Sequence, residues 1–134
     1  STMKSALLIS MLIASCLGAE INVKIAGNLT CDSTFGYQIE LMEYDYPWKS
    51  QLIDSTTWNE VKTTSTHYEV FGTGTDKWPE AEIEPFLRIT HSCGQYQCVC
   101  KFFDSIKKRM ERTFNVNLND KSLKECRSGK CFDD

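Results

Sequence analysis

The chain has 134 residues, of which 41% are hydrophobic, and its 18 acidic and 15 basic side chains give a net charge of −3. This length suits one domain with a single core, and an acidic chain is not typical of general nucleic-acid binding. The charge is uneven, because residues 20–100 contain 5 basic and 12 acidic side chains whereas residues 101–134 contain 9 and 6.

Residues 1–18 have the pattern of a secretory signal peptide. The two residues before Met3 are interpreted as remnants of a vector or of translation. Lys4 gives the segment a positive start, residues 6–14 are apolar, and small residues follow at the expected cleavage site. A membrane-spanning helix needs about 20 apolar residues, so this run is too short. We therefore expect a secreted protein without a transmembrane segment, with one domain over residues 19–134.

Residues 13–16 also support an alternative, because Ile-Ala-Ser-Cys resembles a bacterial lipobox in which Cys16 would carry a lipid. The sequon Asn28-Leu29-Thr30 favours the secreted interpretation instead, since it is an N-glycosylation acceptor. Asn28 alternates with the apolar Leu29 and is expected to face solvent. It is the predicted glycosylation site.

Six cysteines follow the predicted signal peptide: Cys31, Cys93, Cys98, Cys100, Cys126 and Cys131. In a secreted chain of this size they indicate three disulfides. Zinc is an alternative, but structural zinc sites prefer about two to four residues between paired cysteines, and Cys98 and Cys100 are closer. Sequence alone leaves many pairings open. The best single guess is a disulfide between Cys31 and Cys93, because each of these cysteines ends a strand pattern whose apolar side chains face inward.

Alternating apolar and polar side chains predict strands in the first half. Residues 21–31 and 37–42 are each typical of a half-buried strand. Pro47 ends the second pattern, since proline cannot donate to a strand ladder. Two weaker strands and a loop rich in glycine and threonine are predicted at residues 51–58, 66–71 and 72–76.

Pro85 begins the clearest strand pattern of the second half, at a position where the missing N–H costs least. Side chains two residues apart then share one face: Leu87, Ile89, His91 and Cys93. His91 is interpreted as a structural histidine beside a disulfide, and His67 as an exposed one. Further strands are predicted at residues 98–103 and 114–118.

Residues 104–113 are predicted to form one short helix, with Asp104 as its N-cap and Ile106 and Met110 on one face. Residues 101–112 carry five positive and two negative side chains. The basic group consists of Lys107, Lys108, Arg109 and Arg112. It is either a solvated helix face or a docking patch for phosphate head groups or an acidic partner.

The strand pattern as a whole predicts an all-β fold: a two-sheet β-sandwich of about seven strands with one short helix, stapled by disulfides. Aromatic side chains in loops are common at interfaces. Tyr44, Tyr46 and Trp48 are therefore predicted partner contacts together with the basic group, although tryptophans such as Trp58 and Trp78 often pack within a small domain.

Two motifs, residues 27–31 (Gly-Asn-Leu-Thr-Cys) and 85–93 (Pro-Phe-Leu-Arg-Ile-Thr-His-Ser-Cys), occur in order before a C-terminal cysteine. In this arrangement the chain resembles the nematode transthyretin-like family of small secreted proteins, over about residues 21–131. The resemblance implies a prealbumin-type sandwich with a short helix, and an extracellular nematode protein or parasite effector with an undefined ligand. Family members usually have four of these cysteines, so a third pair is an addition.

A related branch of the transthyretin fold hydrolyses hydroxyisourate, using two histidines, an arginine and a C-terminal Tyr-Arg-Gly-Ser motif. This chain ends in Lys-Cys-Phe-Asp-Asp, and Arg88 with His91 alone cannot supply both positioning and proton transfer. We therefore predict a non-enzymatic extracellular binding protein without a cofactor, acting on a host or cell-surface protein or a lipid. The alternatives are a carrier of small hydrophobic ligands, in the channel of a tetramer, and a hydroxyisourate hydrolase.

Overall fold

The computed structural model describes residues 19–45, 49–76 and 82–132. The predicted signal peptide, Tyr46, Trp48 and Trp78 lie outside these residues. The strands are β1 (Ala19–Thr30), β2 (Phe35–Tyr44), β3 (Gln51–Ser55), β4 (Asn59–Val61), β5 (Ser65–Asp76), β6 (Glu84–His91), β7 (Gln97–Phe102), β8 (Arg109–Thr113), β9 (Val116–Asn117) and β10 (Lys124–Glu125). In this part of the chain no helix is long and apolar enough to cross a membrane.

Sheet A has the order β5-β1-β8, and β9 also pairs with β1. Strand β1 is antiparallel to β5 along its whole length, from Ala19 opposite Asp76 to Thr30 opposite Ser65. On its other edge β1 is parallel to β8 and β9. The loop predicted at residues 72–76 is therefore wrong, because this segment continues β5.

Two glycines in the mispredicted segment serve side-chain packing. A Cβ atom at Gly72 would clash with Ile53 of β3, and one at Gly74 would lie 2.8 Å from Cδ1 of Ile83. The missing side chains thus make room for isoleucines that reach across from the rest of the sandwich. Glycine that marks a close approach within a strand cannot be distinguished by composition from glycine that marks a turn.

Sheet B has the order β10-β7-β6-β2-β3, and β4 also pairs with β2. All of these pairs are antiparallel. At the centre, Ile39 of β2 lies opposite Ile89 of β6, and Ile89 lies opposite Val99 of β7. Pro85 is the second residue of β6, opposite Glu43.

The core lies between the two sheets and follows the period of two in each strand. Its fully buried aliphatic side chains are Ile21, Val23, Ile25 and Leu29 of β1, Ile39 and Leu41 of β2, Val70 of β5, and Leu87 and Ile89 of β6. A disulfide joins Cys31, after β1, to Cys93, after β6, with the Cα atoms 5.9 Å apart. This is the pair named from the sequence, and it ties one sheet to the other.

The short helix predicted at residues 104–113 is wrong. Ile106 forms an isolated bridge with Ile83, and the segment then continues as β8. The backbone N–H of Asn22 donates to the carbonyl of Lys108 across 3.1 Å, so the segment supplies partners to the edge of β1. Ile106 and Met110 are four residues apart, a spacing that places two side chains on one face of either a helix or a strand.

Candidate functional site

Tyr44, a predicted partner contact, belongs to an aromatic cluster on the outer face of sheet B. Its ring stacks on that of Phe132 with the centroids 4.1 Å apart. The Phe132 ring also meets those of Phe86 and Phe102 edge-on, at 5.0 and 5.1 Å. Tyr44 therefore packs against its own chain. The other two predicted aromatic contacts, Tyr46 and Trp48, lie outside the described residues.

Phe132 reaches the outer face of sheet B because residues 126–132, here called the C-terminal cover, are held there by two disulfides. These are Cys98–Cys126 and Cys100–Cys131. Arg88 adds a third attachment, since its Nη1 donates to the carbonyl of Gly129 across 3.2 Å. The same guanidinium forms two 2.8 Å hydrogen bonds with the carboxylate of Glu40, a bidentate pair that fixes its orientation.

The basic group does not share one face. Lys107 and Lys108 lie on the bend before β8, and Arg109 and Arg112 lie on β8 itself. Arg109 is paired with Glu111 at 3.4 Å, and Lys24 of β1 lies 4.0 Å from the same glutamate. Charged side chains on an edge strand are a common protection against unwanted strand pairing. The geometry therefore explains Arg109 and Arg112 without a ligand.

Asn28, the predicted glycosylation site, is exposed on β1 opposite His67 of β5. Its Oδ1 lies 3.2 Å from Nδ1 of His67. Its backbone N–H donates to the side chain of Asn115 across 2.9 Å. The side chain thus faces solvent from the outside of sheet A.

The two histidines are not brought together. His67 is on the exposed side of sheet A, whereas His91 is fully buried on the core side of sheet B. Arg88 lies on the opposite face of β6 from His91, where it pairs with Glu40. These side chains therefore do not face a common substrate position, which a histidine- and arginine-based hydrolysis would need.

The described residues include two groups of potential metal ligands, both built on cysteines: Cys100, Cys126 and Cys131, and Cys31, Asp32 and Cys93. All of these cysteines are disulfide-bonded. Zinc is bound by the thiolate form of cysteine, which a disulfide sulfur lacks. Neither group can act as a thiolate metal centre while the disulfides are intact.

Trp58 and Tyr96 form an exposed aromatic pair that sequence reasoning did not connect. Their ring centroids are 6.1 Å apart with an interplanar angle of 27°. Tyr96 is 74% exposed and Trp58 is 39% exposed. The only sequence signal was the aromatic residue type, because 38 positions separate the two side chains and the bend before β7 brings them together.

The position of Trp58 is fixed by its surroundings. Its Nε1 donates to Oε1 of Glu60 across 2.7 Å. The indole lies over the backbone of Gly36 in β2, and a Cβ atom at Gly36 would clash with the ring. Trp58 is therefore held against β2, and Tyr96, just before β7, stacks on it.

The sandwich is closed along one side and more open along the other. On the closed side, β3 packs against β5, and the backbone N–H of Phe71 donates to Oδ2 of Asp54 across 2.8 Å. On the other side, the described strands β7 and β8 have no comparable contact. A cleft therefore opens there between sheet A and sheet B.

Two adjacent cavities occupy this open side, with volumes of about 330 and 540 Å³. Val99 and Leu123 line both of them. The smaller cavity, here called the inner cleft, is also lined by Ile89, Phe114, Val116, Lys101 and Lys124. The larger one has a more acidic lining, which includes Asp120 and Glu125. Pockets that hold small molecules usually have volumes of roughly 300–1,000 Å³.

No family model and no curated sequence matches this chain. The nematode transthyretin-like resemblance thus depends on the motifs of β1 and β6.

Proposed function

We propose that this chain is a secreted, non-enzymatic binding protein with a transthyretin-like β-sandwich. Its partner is a host or cell-surface protein, which it contacts through Trp58 and Tyr96. The observation that carries the proposal is this ordered, exposed aromatic pair. Trp and Tyr side chains contribute strongly to interfaces because they bury a large area with few rotatable bonds.

The rigidity of the surroundings favours binding without rearrangement. Trp58 is held by Glu60 and by the backbone of β2. Tyr96 follows Cys93, which is tied to the other sheet, and precedes Cys98, which is tied to the C-terminal cover. Side chains that are already ordered lose less conformational entropy when a partner binds.

The motif positions support the family assignment within this proposal. The motif at residues 27–31 covers the end of β1 in sheet A, and the motif at 85–93 covers β6 in sheet B. Their terminal cysteines are bonded to each other. Both motifs thus have a structural role in joining the sheets, as expected for a pattern that specifies a fold.

Secretion is supported by the oxidised cysteines and by the apolar N-terminal segment. The described residues contain three disulfides, which persist in extracellular and other oxidising compartments. Expression of the chain in animal cells should release it into the medium. N-terminal sequencing of the released protein should place its first residue near residue 19, and retention of the apolar segment would contradict a cleaved signal peptide.

The partner proposal is tested by affinity capture. The purified chain is immobilised and exposed to nematode or host extracellular fluid and to solubilised cell-surface proteins, and captured proteins are identified by mass spectrometry. We expect a reproducible partner that a Trp58→Ala/Tyr96→Ala variant fails to retain. Phe71→Ala is the matched control, because Phe71 is an exposed aromatic residue (56%) on sheet A.

Equal capture by the parent and both variants would show that the aromatic pair is not the contact surface. Repeated absence of a partner, together with turnover of hydroxyisourate by the purified chain, would overturn the binding function itself. The hydrolase alternative has less support, because His67 and His91 lie on different sheets and different faces.

A further inference from the structure

We propose that the inner cleft binds a small amphipathic carboxylate, with its apolar body between the sheets and its carboxylate beside Lys101. This site shares no residue with the Trp58–Tyr96 surface and does not depend on the proposed function. It also lies within one copy of the chain, so it needs no tetramer channel.

The apolar part of the proposed site is built from both sheets. Ile89 and Val99 contribute from sheet B, and Phe114 and Val116 from the segment that ends β8 and forms β9. Leu123 lines both the inner cleft and the larger cavity. An alkyl or aryl group placed here would leave water for an apolar surface, which is favourable in proportion to the buried area.

Lys101 gives the cleft its preference for an anion. Its side chain lies on the same face of β7 as the side chain of Val99, and it is partly buried. Its Nζ lies 5.2 Å from the ring centroid of Phe114 and 5.7 Å from that of Phe103. Within residues 19–45, 49–76 and 82–132, no carboxylate forms an ion pair with this ammonium. A partly desolvated ammonium that lies beside aromatic rings is stabilised further by an anion.

The charge distribution along the open side favours the inner cleft over the larger cavity as the site of an anion. No acidic side chain of the described residues lines this cavity. Lys124 also lines it, but its Nζ lies 4.3 Å from the ring centroid of Phe102, on the outer face of sheet B. The larger cavity instead carries two acidic side chains, Asp120 and Glu125, and one basic side chain, Lys121. Hydrogen bonds from the backbone N–H and hydroxyl of Ser122 lower the pKa of Asp120, which keeps that carboxylate charged.

The test is a titration of the isotope-labelled chain with decanoate, below its micelle concentration, followed by two-dimensional NMR and calorimetry. We expect saturable shifts in the signals of Phe114, Val116 and Leu123. Decanol, which has the same chain length without the charge, should bind at least about tenfold more weakly, because it cannot form a charge-assisted hydrogen bond with Lys101.

Variants of the lysine distinguish this site from general hydrophobic binding. Lys101→Met keeps the apolar stem and should remove the preference for decanoate over decanol, whereas Lys101→Arg should retain it. Lys107→Met, a change outside the cleft, should leave both affinities unchanged. An unchanged spectrum outside the cleft shows that each variant is folded.

The proposal would be overturned by equal affinity for decanoate and decanol in the parent chain, by unchanged decanoate affinity in Lys101→Met, or by shifts confined to residues away from the inner cleft. Absence of any saturable shift would do so as well. Because the capture experiment with Trp58 and Tyr96 measures a different surface, failure of one proposal leaves the other to be judged on its own result.

Discussion

The backbone N–H of Cys93 donates a hydrogen bond to Nδ1 of His91 across 3.0 Å. Because Nδ1 accepts this bond, the proton of the neutral ring lies on Nε2, which has no hydrogen-bond partner among the described residues. Protonation of Nδ1 would break the bond and place a charge in the core. Burial accordingly lowers the pKa of His91 from its ordinary value of 6.5.

Stability should therefore depend on pH through His91. Between about pH 7.5 and about pH 5.5 the unfolded chain takes up a proton on this histidine while the native chain resists it, so the free energy of unfolding should decrease as the pH falls. Urea unfolding at the two pH values measures this decrease. His91→Gln should flatten the dependence, whereas His67→Gln should preserve most of it. An identical slope in the parent and His91→Gln would contradict the assignment.

Removal of the Cys31–Cys93 disulfide should cause a large loss of stability. The two cysteines are 62 residues apart in sequence, and in the chain-entropy model a loop of that length stabilises the native state by about 4 kcal/mol. We expect a loss of this size in urea unfolding of a Cys31→Ala/Cys93→Ala variant. A loss below about 1 kcal/mol would indicate that the unfolded chain is not restrained as this model assumes.

Asn28 should carry a glycan when the chain passes through the secretory pathway of animal cells. Its side chain is exposed on the outer side of sheet A, which leaves room for a bulky sugar. Treatment with an amidase that removes N-linked glycans should increase gel mobility. Asn28→Gln and Thr30→Ala should abolish the shift and Asn115→Gln should retain it. An unshifted parent protein would show that the sequon is unused.

The basic group should not bind anionic membranes at physiological salt. Arg109 is paired with Glu111, and Lys24 lies near the same carboxylate, so the four cations do not form one uncompensated surface. We expect no sedimentation of the chain with phosphatidylserine vesicles, for the parent or for a variant with glutamine at Lys107, Lys108, Arg109 and Arg112. Salt-sensitive binding that this variant loses would instead support a lipid-docking role, with each cation contributing about 1 kcal/mol.

Two features of the candidate sites could not be predicted from the order of residues along the chain. Tyr44 looked like a free interface residue, but Phe132 covers it because two disulfides hold the C-terminal cover over sheet B. Tyr96 is a single aromatic in a polar bend, and it becomes part of a surface only when Trp58 packs against it. Both outcomes depend on contacts between residues that are distant in sequence.

The sequence by itself determined the strands whose alternation is strict. The inward residues of β1 and β6, such as Ile25 and Ile89, could be identified because only a period of two buries one face of a strand. The sequence did not determine whether residues 104–113 form a helix or a strand, because the spacing of Ile106 and Met110 fits both. Only the tertiary structure decided this: the edge of β1 presents backbone groups that need hydrogen-bond partners, and β8 supplies them in a parallel pairing that no local pattern encodes.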